Sequence, residues 1–225
     1  TTSNANIPFY TYYNYSISQQ IYTAEEMWGL SESTISTIGF KQFDSSVRTR
    51  NIAIYLLNTD RTSFTYYGSD WEPVTEADLV FSGQVTTPGV AGAWMDIELQ
   101  TPFHYTGGNV LVCVLDNTGS DQSACTFYTY NAGYSVRNMY AFRDPSAYDP
   151  ANPGVGGNHS MDWASGNYRN NVIKFNATVP ADFESLTVTP EVIDLGARPN
   201  GAWMRPANVV IGTKAFSLNI NSVES

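Results

Sequence analysis

The chain has 225 residues, enough for one large β domain or for one domain and part of a second. Aromatic residues make up 14% of the sequence and charged residues also 14%, whereas average soluble domains carry roughly 25% charged residues. The 11 basic and 21 acidic residues give a net charge of −10, which disfavours nucleic acids and anionic membrane surfaces as partners. We find no apolar run near the ~20 residues of a membrane span and expect no membrane insertion.

Nine segments have the composition of half-buried β-strands, and turn residues separate them. In chain order they are Phe9–Tyr15, Ser36–Phe43, Asn51–Leu57, Leu79–Val85, Trp94–Glu98, Val110–Leu115, Thr126–Tyr130, Asn138–Phe142 and Val172–Asn176. In Asn51–Leu57 the apolar residues alternate, so Ile52, Ile54 and Leu56 fall on one face. Val110–Leu115 is apolar on both faces, which is typical of a central strand that is covered on both sides. No βαβ alternation interrupts the series. The sequence therefore predicts an all-β fold, an antiparallel jelly-roll β-sandwich.

Two short stretches have helical features instead. The run Ser16–Met27 does not fit the strand pattern, and Thr23 is suited to cap one helical turn that ends at Met27. Thr75 is suited to cap a second turn within Val74–Asp78. We therefore expect only two helical turns in a chain that is otherwise sheet and loop.

A change in composition near Val179–Glu184 indicates a boundary between a domain of residues 1–180 and a segment of residues 181–225. The segment contains three short strand-like stretches, whereas an immunoglobulin-type sandwich needs ~100 residues. It is either a truncated second domain or an extension packed against the first domain. We favour the first alternative, a partial immunoglobulin-like β segment whose strand edges are left unpaired.

The two cysteines, Cys113 and Cys125, flank a turn centred near Gly119. If the flanking strands pair symmetrically about that turn, the two side chains share one face and form a disulfide. Two free buried thiols are the alternative. The spacing does not decide between them, and a CxxC motif is absent from the sequence.

Aromatic residues in predicted loops and turns are the best candidates for ligand binding. Exposed rings stack on the faces of sugars, and the hydroxyl or indole N–H adds a hydrogen bond. The alternative is that these rings cap the ends of the sandwich core. The candidates are Tyr66, Tyr67, Trp71, Tyr130, Tyr134, Trp163 and Tyr168, whereas Trp28, Trp94 and Trp203 are interpreted as structural.

Signals for metal binding or catalysis are weak. The loops DNTGSD (Asp116, Asn117, Asp121) and RDPSAYDPAN (Asp144, Asp149, Asn152) could offer oxygens to calcium, but ordinary turn chemistry explains both. We predict no other metal and no further cofactor. Carboxylate pairs for glycoside hydrolysis could come from Asp70, Glu72, Glu76, Asp78, Asp96 and Glu98. Capping and solvation explain those residues equally well, so we expect no catalytic residue.

The words SQQIYTAEEM, ISTIGF, TRNIAIYL, SDWEPV, LVFSGQV, AWMDIELQTPFHYTGGNVLVCVLDNTGS and VRNMYAFRD follow one another between Ile17 and Asn176. In that order they resemble a jelly-roll-like β-sandwich module of multidomain cell-surface and secreted proteins of Bacteroidota. The words VIDLGARPNGAWMRP similarly look like the start of the immunoglobulin-like domain that follows such modules. The resemblance implies an extracellular or cell-surface location and implies no catalytic residues.

Three functional hypotheses follow, in order of preference. The first is a non-catalytic binding module of a larger exported protein, adhesin-like or carbohydrate-binding, that holds a glycan or a surface protein. The second is a structural spacer beside neighbouring domains of the parent chain, or an assembly subunit completed by strand exchange. The third is a hydrolase. The start TTSNANIPFY lacks the features of a signal peptide, so we expect a piece of a longer exported precursor.

Overall fold

The computed structural model of the protein describes residues 3–28, 30–65, 70–133, 135–153, 169–178 and 215–220. Strands dominate this part of the chain. Their bounds are β1 Ser3–Ala5, β2 Tyr15–Tyr22, β3 Ser33–Lys41, β4 Thr49–Thr59, β5 Leu79–Thr86, β6 Trp94–Tyr105, β7 Asn109–Asp116, β8 Phe127–Asn131, β9 Asn138–Arg143, β10 Arg169–Asn171, β11 Ile173–Thr178 and β12 Ala215–Ile220. Within the described residues, no helix has the length and apolar character to cross a membrane.

The strands form two antiparallel layers. One layer is a five-stranded sheet in the order β5-β4-β7-β2-β9. The other joins a four-stranded sheet, β12-β11-β3-β6, to a three-stranded sheet, β1-β8-β10. The junction is at Val172, whose N–H donates to Tyr128 O and whose carbonyl accepts from the Lys41 N–H. The predicted all-β antiparallel sandwich is confirmed, and the jelly-roll connectivity stays a prediction.

The main core lies between the two layers. From the five-stranded sheet it contains Ile52, Ile54 and Leu56, the face that alternation predicts for β4. From the opposite layer it contains Ile38 and Phe40 of β3, together with other buried residues of β6 and β11. Burial of this apolar area is the main stabilising contribution to the sandwich.

A second apolar cluster covers the outer face of the five-stranded sheet. The sheet contributes alternate residues of its strands, such as Leu111, Cys113 and Leu115 of β7. Loops close over them with five buried side chains, which we call the loop cover: Phe64, Trp71, Val74, Val136 and Tyr148. The central strand β7 is therefore buried on both faces, as its sequence predicts.

The predicted helical turns are present in short form. The Met27 N–H donates to Thr23 O, while the Glu26 carboxylate accepts from the Thr23 N–H. Residues Glu76–Asp78 form a 3-10 turn, in which the Asp78 carboxylate accepts from the backbone N–H of Thr75.

The prediction was wrong at the start of the chain. Phe9–Tyr15 is not a strand, whereas Tyr15–Tyr22 is a strand inside the five-stranded sheet, between β7 and β9. The sequence of β2 shows no clear apolar alternation, because polar side chains occupy the inward face of the strand. Ser16, Ser18 and Gln20 are buried there, and hydrogen bonds satisfy them.

One strand of the C-terminal segment belongs to the sandwich. β12 pairs antiparallel along the whole of β11, from Ile173↔Ile220 to Thr178↔Ala215. This is the arrangement that an extension packed against the first domain predicts. The proposed boundary and the other residues of 181–225 lie outside the described residues, so the partial immunoglobulin-like domain stays a prediction.

Candidate functional site

The N-terminal segment, residues 6–14, is bound to the polar face of β2. Ser18 Oγ donates to Pro8 O over 2.7 Å, and the Tyr10 N–H donates to Ser16 Oγ over 3.0 Å. From β10, Asn171 Nδ2 donates to Ile7 O over 2.8 Å. The polar residues that interrupt the apolar pattern of β2 are thus the ones that bind this segment.

Buried and exposed side chains alternate from Phe9 to Tyr12. Ile7, Phe9 and Thr11 are buried, and the Phe9 ring meets Phe127 edge-on at 5.1 Å. Tyr10 is half-buried, and Tyr12 is 57% exposed. The alternation therefore buries one row of side chains and presents a row of tyrosines at the surface.

Five rings make up what we call the tyrosine surface: Tyr10, Tyr12, Tyr13, Tyr140 and Phe142. The Phe142 centroid lies 5.0 Å from Tyr10, 4.2 Å from Tyr13 and 6.2 Å from Tyr140. Tyr12 meets Tyr13 edge-on at 5.5 Å. Burial first, and then the neighbouring Tyr13 and Tyr12, raise the pKa of Tyr10. Its hydroxyl therefore stays protonated at neutral pH and can donate to a ligand.

A buried cation fixes the far end of the segment. Arg50 Nη2 donates to Tyr13 O over 2.7 Å, and Arg50 Nε donates to the Asp116 carboxylate over 2.7 Å. Both side chains of this ion pair are fully buried. The backbone under Tyr13 is therefore fastened to β4 and β7, and a rigid backbone lowers the entropy lost when the rings bind a ligand.

A small cleft adjoins the tyrosine surface at Tyr140. Its volume is about 100 Å³, and its lining residues are Ala5, Asn6, Ile7, Asn138, Tyr140 and Arg169. Asn138 is fully buried; its Nδ2 donates to Arg169 O, but its Oδ1 accepts no hydrogen bond in the described part of the chain. A buried acceptor without a donor is costly, and a ligand hydroxyl would satisfy it.

A larger groove, of about 350 Å³, lies between the 3-10 turn and the end of β6. Three of its four polar side chains, all but that of Thr101, already have partners in the protein. Asp78 accepts from Thr75, Asn58 Nδ2 donates to His104 O, and His104 Nε2 lies 3.6 Å from the Glu32 carboxylate. Among the described residues, the groove has no buried unsatisfied acceptor like the one in the cleft.

The predicted ligand-binding aromatics are differently placed. Trp71 is 8% exposed in the loop cover, and Tyr130 is 4% exposed in the main core, so neither ring is free to stack on a sugar. Tyr130 is on β8, where its hydroxyl donates to the Glu26 carboxylate. Tyr66, Tyr67, Tyr134, Trp163 and Tyr168 lie outside the described residues. Trp28, interpreted as structural, is 77% exposed.

Cys113 and Cys125 are free thiols, so the disulfide alternative is wrong. The symmetric pairing fails because β7 pairs with β2 and β4, not with β8. Cys113 lies under the loop cover, whereas Cys125 lies in the main core on the other side of the five-stranded sheet. Burial raises the pKa of each thiol to about 12.

Three of the six candidate catalytic carboxylates form ion pairs. Asp70 and Glu72 both pair with Arg61, and Asp96 pairs with Lys174. The hydrogen bond from Arg61, together with those from Thr65, lowers the pKa of Asp70 to about 2. A general acid for glycoside hydrolysis needs a raised pKa, so Asp70 is poorly suited to that role.

The candidate calcium loops use their oxygens within the protein. Asp116 accepts from Arg50 and from Thr118, while Asp149 Oδ1 accepts from the Ala151 N–H. Among the described residues, no three His, Cys, Asp or Glu side chains converge as a metal site would require. Calcium binding stays an untested prediction.

No protein-family model matches the chain. No curated protein and no solved structure shows significant similarity to it.

Proposed function

We propose that this protein is a non-catalytic binding module of a larger exported surface protein, and that the tyrosine surface holds a glycan. One observation supports the proposal most directly. The tyrosine surface, whose backbone is held in place, lies next to a cleft that contains a buried acceptor without a donor. Binding sites of small ligands combine apolar surface with a few placed polar groups in this way.

Each part of the surface has a chemical role in the proposal. Tyr12 and Tyr13 offer ring faces and edges to the apolar face of a sugar, and their hydroxyls offer hydrogen bonds. In the cleft, Asn138 Oδ1 accepts from a sugar hydroxyl, and the exposed Arg169 guanidinium donates to ring or hydroxyl oxygens. A sugar presents an apolar face and a rim of hydroxyls, which is the complement of this surface.

The test is a glycan-array screen of the purified chain with and without calcium, followed by titration of any glycan that binds. Tyr12→Ala should weaken that binding by about tenfold, since one ring of a small interface supplies on the order of 1–2 kcal/mol. Trp28→Ala is the matched control, because Trp28 is also an exposed ring but follows the opposite end of β2. A blank array, or binding that Tyr12→Ala and Tyr13→Ala leave unchanged, would contradict the proposal.

A second candidate function, assembly by strand exchange, is favoured by β12. This strand is separated from β11 by residues 179–214, yet it supplies the last strand of the four-stranded sheet. The same strand from a second copy could pair with β11 through the same backbone hydrogen bonds. Light scattering at increasing concentration should then show a dimer that Leu218→Pro abolishes, because proline removes a ladder donor. A single monomer mass throughout would contradict exchange.

A further inference from the structure

The outer face of the four-stranded sheet places two lysine side chains beside one tryptophan ring. The chain has three lysines, and the ammonium groups of two of them lie near the same indole. Lys41 Nζ is 5.8 Å and Lys174 Nζ is 5.0 Å from the Trp94 centroid. On the same face Asp96 and Glu98 of β6 balance the charges of the two lysines, whereas the whole protein has a net charge of −10.

Strand register produces the arrangement. Ile38 and Phe40 of β3 point into the main core, so Gly39 and Lys41 lie on the outer face. Lys41 is directly opposite Trp94 on β6, and Gly39 is opposite Asp96 on β6 and Lys174 on β11. The sequence therefore aligns these side chains across three neighbouring strands.

The two lysines differ in what they bind. Lys174 forms an ion pair with Asp96, with Nζ–Oδ distances of 2.7 and 2.8 Å. The pair crosses above Gly39, where a Cβ atom would lie only 2.4 Å from Asp96 Oδ1. Lys41, in contrast, forms no ion pair with any carboxylate in the described part of the chain; its ammonium group lies between the rings of Trp94 and Tyr128, 5.4 Å from the latter.

The aromatic row continues beyond Lys41. The Tyr128 ring meets the Phe43 ring at 5.0 Å, and Phe43 is 38% exposed. We call the set Lys41, Phe43, Trp94 and Tyr128 the lysine–aromatic face. Among the described residues, it places one cation without an ion-pair partner beside partly exposed rings on an open sheet.

We propose that the lysine–aromatic face is a second binding site, and that it takes an acidic glycan whose sugars bear carboxylate or sulfate groups. The Lys41 ammonium pairs with the anionic group, and the neighbouring rings pack against the apolar face of the sugar. Charge complementarity selects this class of ligand, because a neutral sugar leaves the Lys41 charge without a partner. This site shares no residue with the tyrosine surface.

Two matched pairs of polymers test the proposal with the full chain. Dextran sulfate against dextran isolates sulfate, and polygalacturonate against its methyl ester isolates carboxylate. The charged member of at least one pair should bind and the neutral member should not, with binding that weakens as salt is added. The pair that discriminates identifies which anionic group is recognised.

Two substitutions with the same charge change locate the site. Lys41→Gln should weaken binding of the charged polymer by about three- to tenfold, the range for one hydrogen bond or ion pair that stays partly exposed to solvent. Asn51→Asp also makes the net charge more negative by one. Asn51 is an exposed residue of β4 in the other layer, so this substitution should change binding less than twofold. Phe43→Ala should also weaken binding, and the thermal midpoints of all three variants should match that of the unmodified chain.

Three results would overturn the proposal. One is equal binding of the charged and neutral members in both pairs. Another is an equal effect of Lys41→Gln and Asn51→Asp, since binding would then follow net charge alone. The third is poly-glutamate that binds as tightly as the acidic glycans, because a polymer without sugar rings would then need no stacking on Phe43 or its neighbours.

Discussion

The two layers of the sandwich differ in whether loops cover their outer faces. Outward residues of the five-stranded sheet, such as Cys113 and Leu115, are apolar and lie under the loop cover. Outward residues of the four-stranded sheet, such as Lys41 and Asp96, are polar or charged and remain partly exposed. Apolar surface on both faces of a strand therefore predicts a cover, whereas one polar face predicts an open sheet where ligands can bind.

This difference explains which aromatic rings are exposed and can contact a ligand. Trp71 and Tyr148 come from loops, but those loops complete the cover, so both rings are buried. Tyr12 and Phe43 come from segments that border open surface, and both remain exposed. In this protein, loop position alone does not indicate an accessible aromatic ring.

The largest effect is expected when a buried ion pair is broken, and a partly exposed ion pair serves as the comparison. Arg50→Met should lower the free energy of unfolding by about 3–5 kcal/mol, because the buried Asp116 loses its partner. Lys174→Met, at the half-exposed pair with Asp96, should lower it by about 0–1 kcal/mol. Urea denaturation measures both changes. If the double variant Arg50→Met/Asp116→Leu is no more stable than Arg50→Met, unpaired charge is not the cause.

The next effect compares the loop cover with the lysine–aromatic face. Trp71→Ala should lower the free energy of unfolding by about 3–4 kcal/mol, since it leaves a cavity under the loops. Lys41→Gln should change it by no more than about 0.5 kcal/mol. Trp71→Phe is the control. Trp71 Nε1 has no hydrogen-bond partner among the described residues, so this substitution removes ring volume but no hydrogen bond and should lower the free energy of unfolding less than Trp71→Ala does. Equal midpoints for Trp71→Ala and Lys41→Gln would contradict the comparison.

Sequence patterns predicted the parts of the fold whose faces are chemically distinct. The alternation of Ile52, Ile54 and Leu56 identified the core face of β4, and the doubly apolar run of β7 identified a strand covered on both sides. β2 was missed because hydrogen bonds satisfy its buried Ser18 and Gln20, which no apolar pattern can report.

The candidate site was less predictable than the fold. Whether Trp71 is buried depends on a loop that returns over a distant sheet, and no local pattern encodes that return. The repeated tyrosines of FYTYYNY did carry a signal, but a strand interpretation of Phe9–Tyr15 left Tyr10, Tyr12 and Tyr13 out of the candidate set. The lysine–aromatic face depends on register across three strands, which the sequence of any one strand cannot give.

A smaller effect concerns pH and the loop cover. The hydrogen bond from Arg61 first, and then those from Thr65, lower the pKa of Asp70 to about 2, and the Arg61 guanidinium also lies 4.7 Å from the Phe64 ring. A carboxyl whose pKa is lowered by folding stabilises the protein above its unfolded pKa of about 4. That contribution, about 1 kcal/mol after allowance for partial exposure, should be lost as pH falls from about 4 to 2.

Two variants check the acid dependence. Asp70→Asn should flatten the fall in stability between pH 4 and 2, because the titrating group is gone. Arg61→Gln should flatten it in part, since the hydrogen bonds from Thr65 still lower the pKa of the Asp70 carboxyl. Chemical denaturation across that pH range measures the slope, and an unaltered slope in both variants would show that the Asp70 ion pair does not stabilise the loop cover.

The smallest expected effect is no change at all when the protein is treated with a reductant. Cys113 and Cys125 lie on opposite sides of the five-stranded sheet, so a disulfide between them would have to pass through its hydrogen-bonded backbone. Reductant should therefore leave the thermal midpoint unchanged, and alkylation of both thiols should require unfolding, because burial raises their pKa values to about 12. A midpoint lowered by reductant would mean that the thiols meet. β7 would then have to pair with β8, and the separation between the covered face and the main core would be wrong.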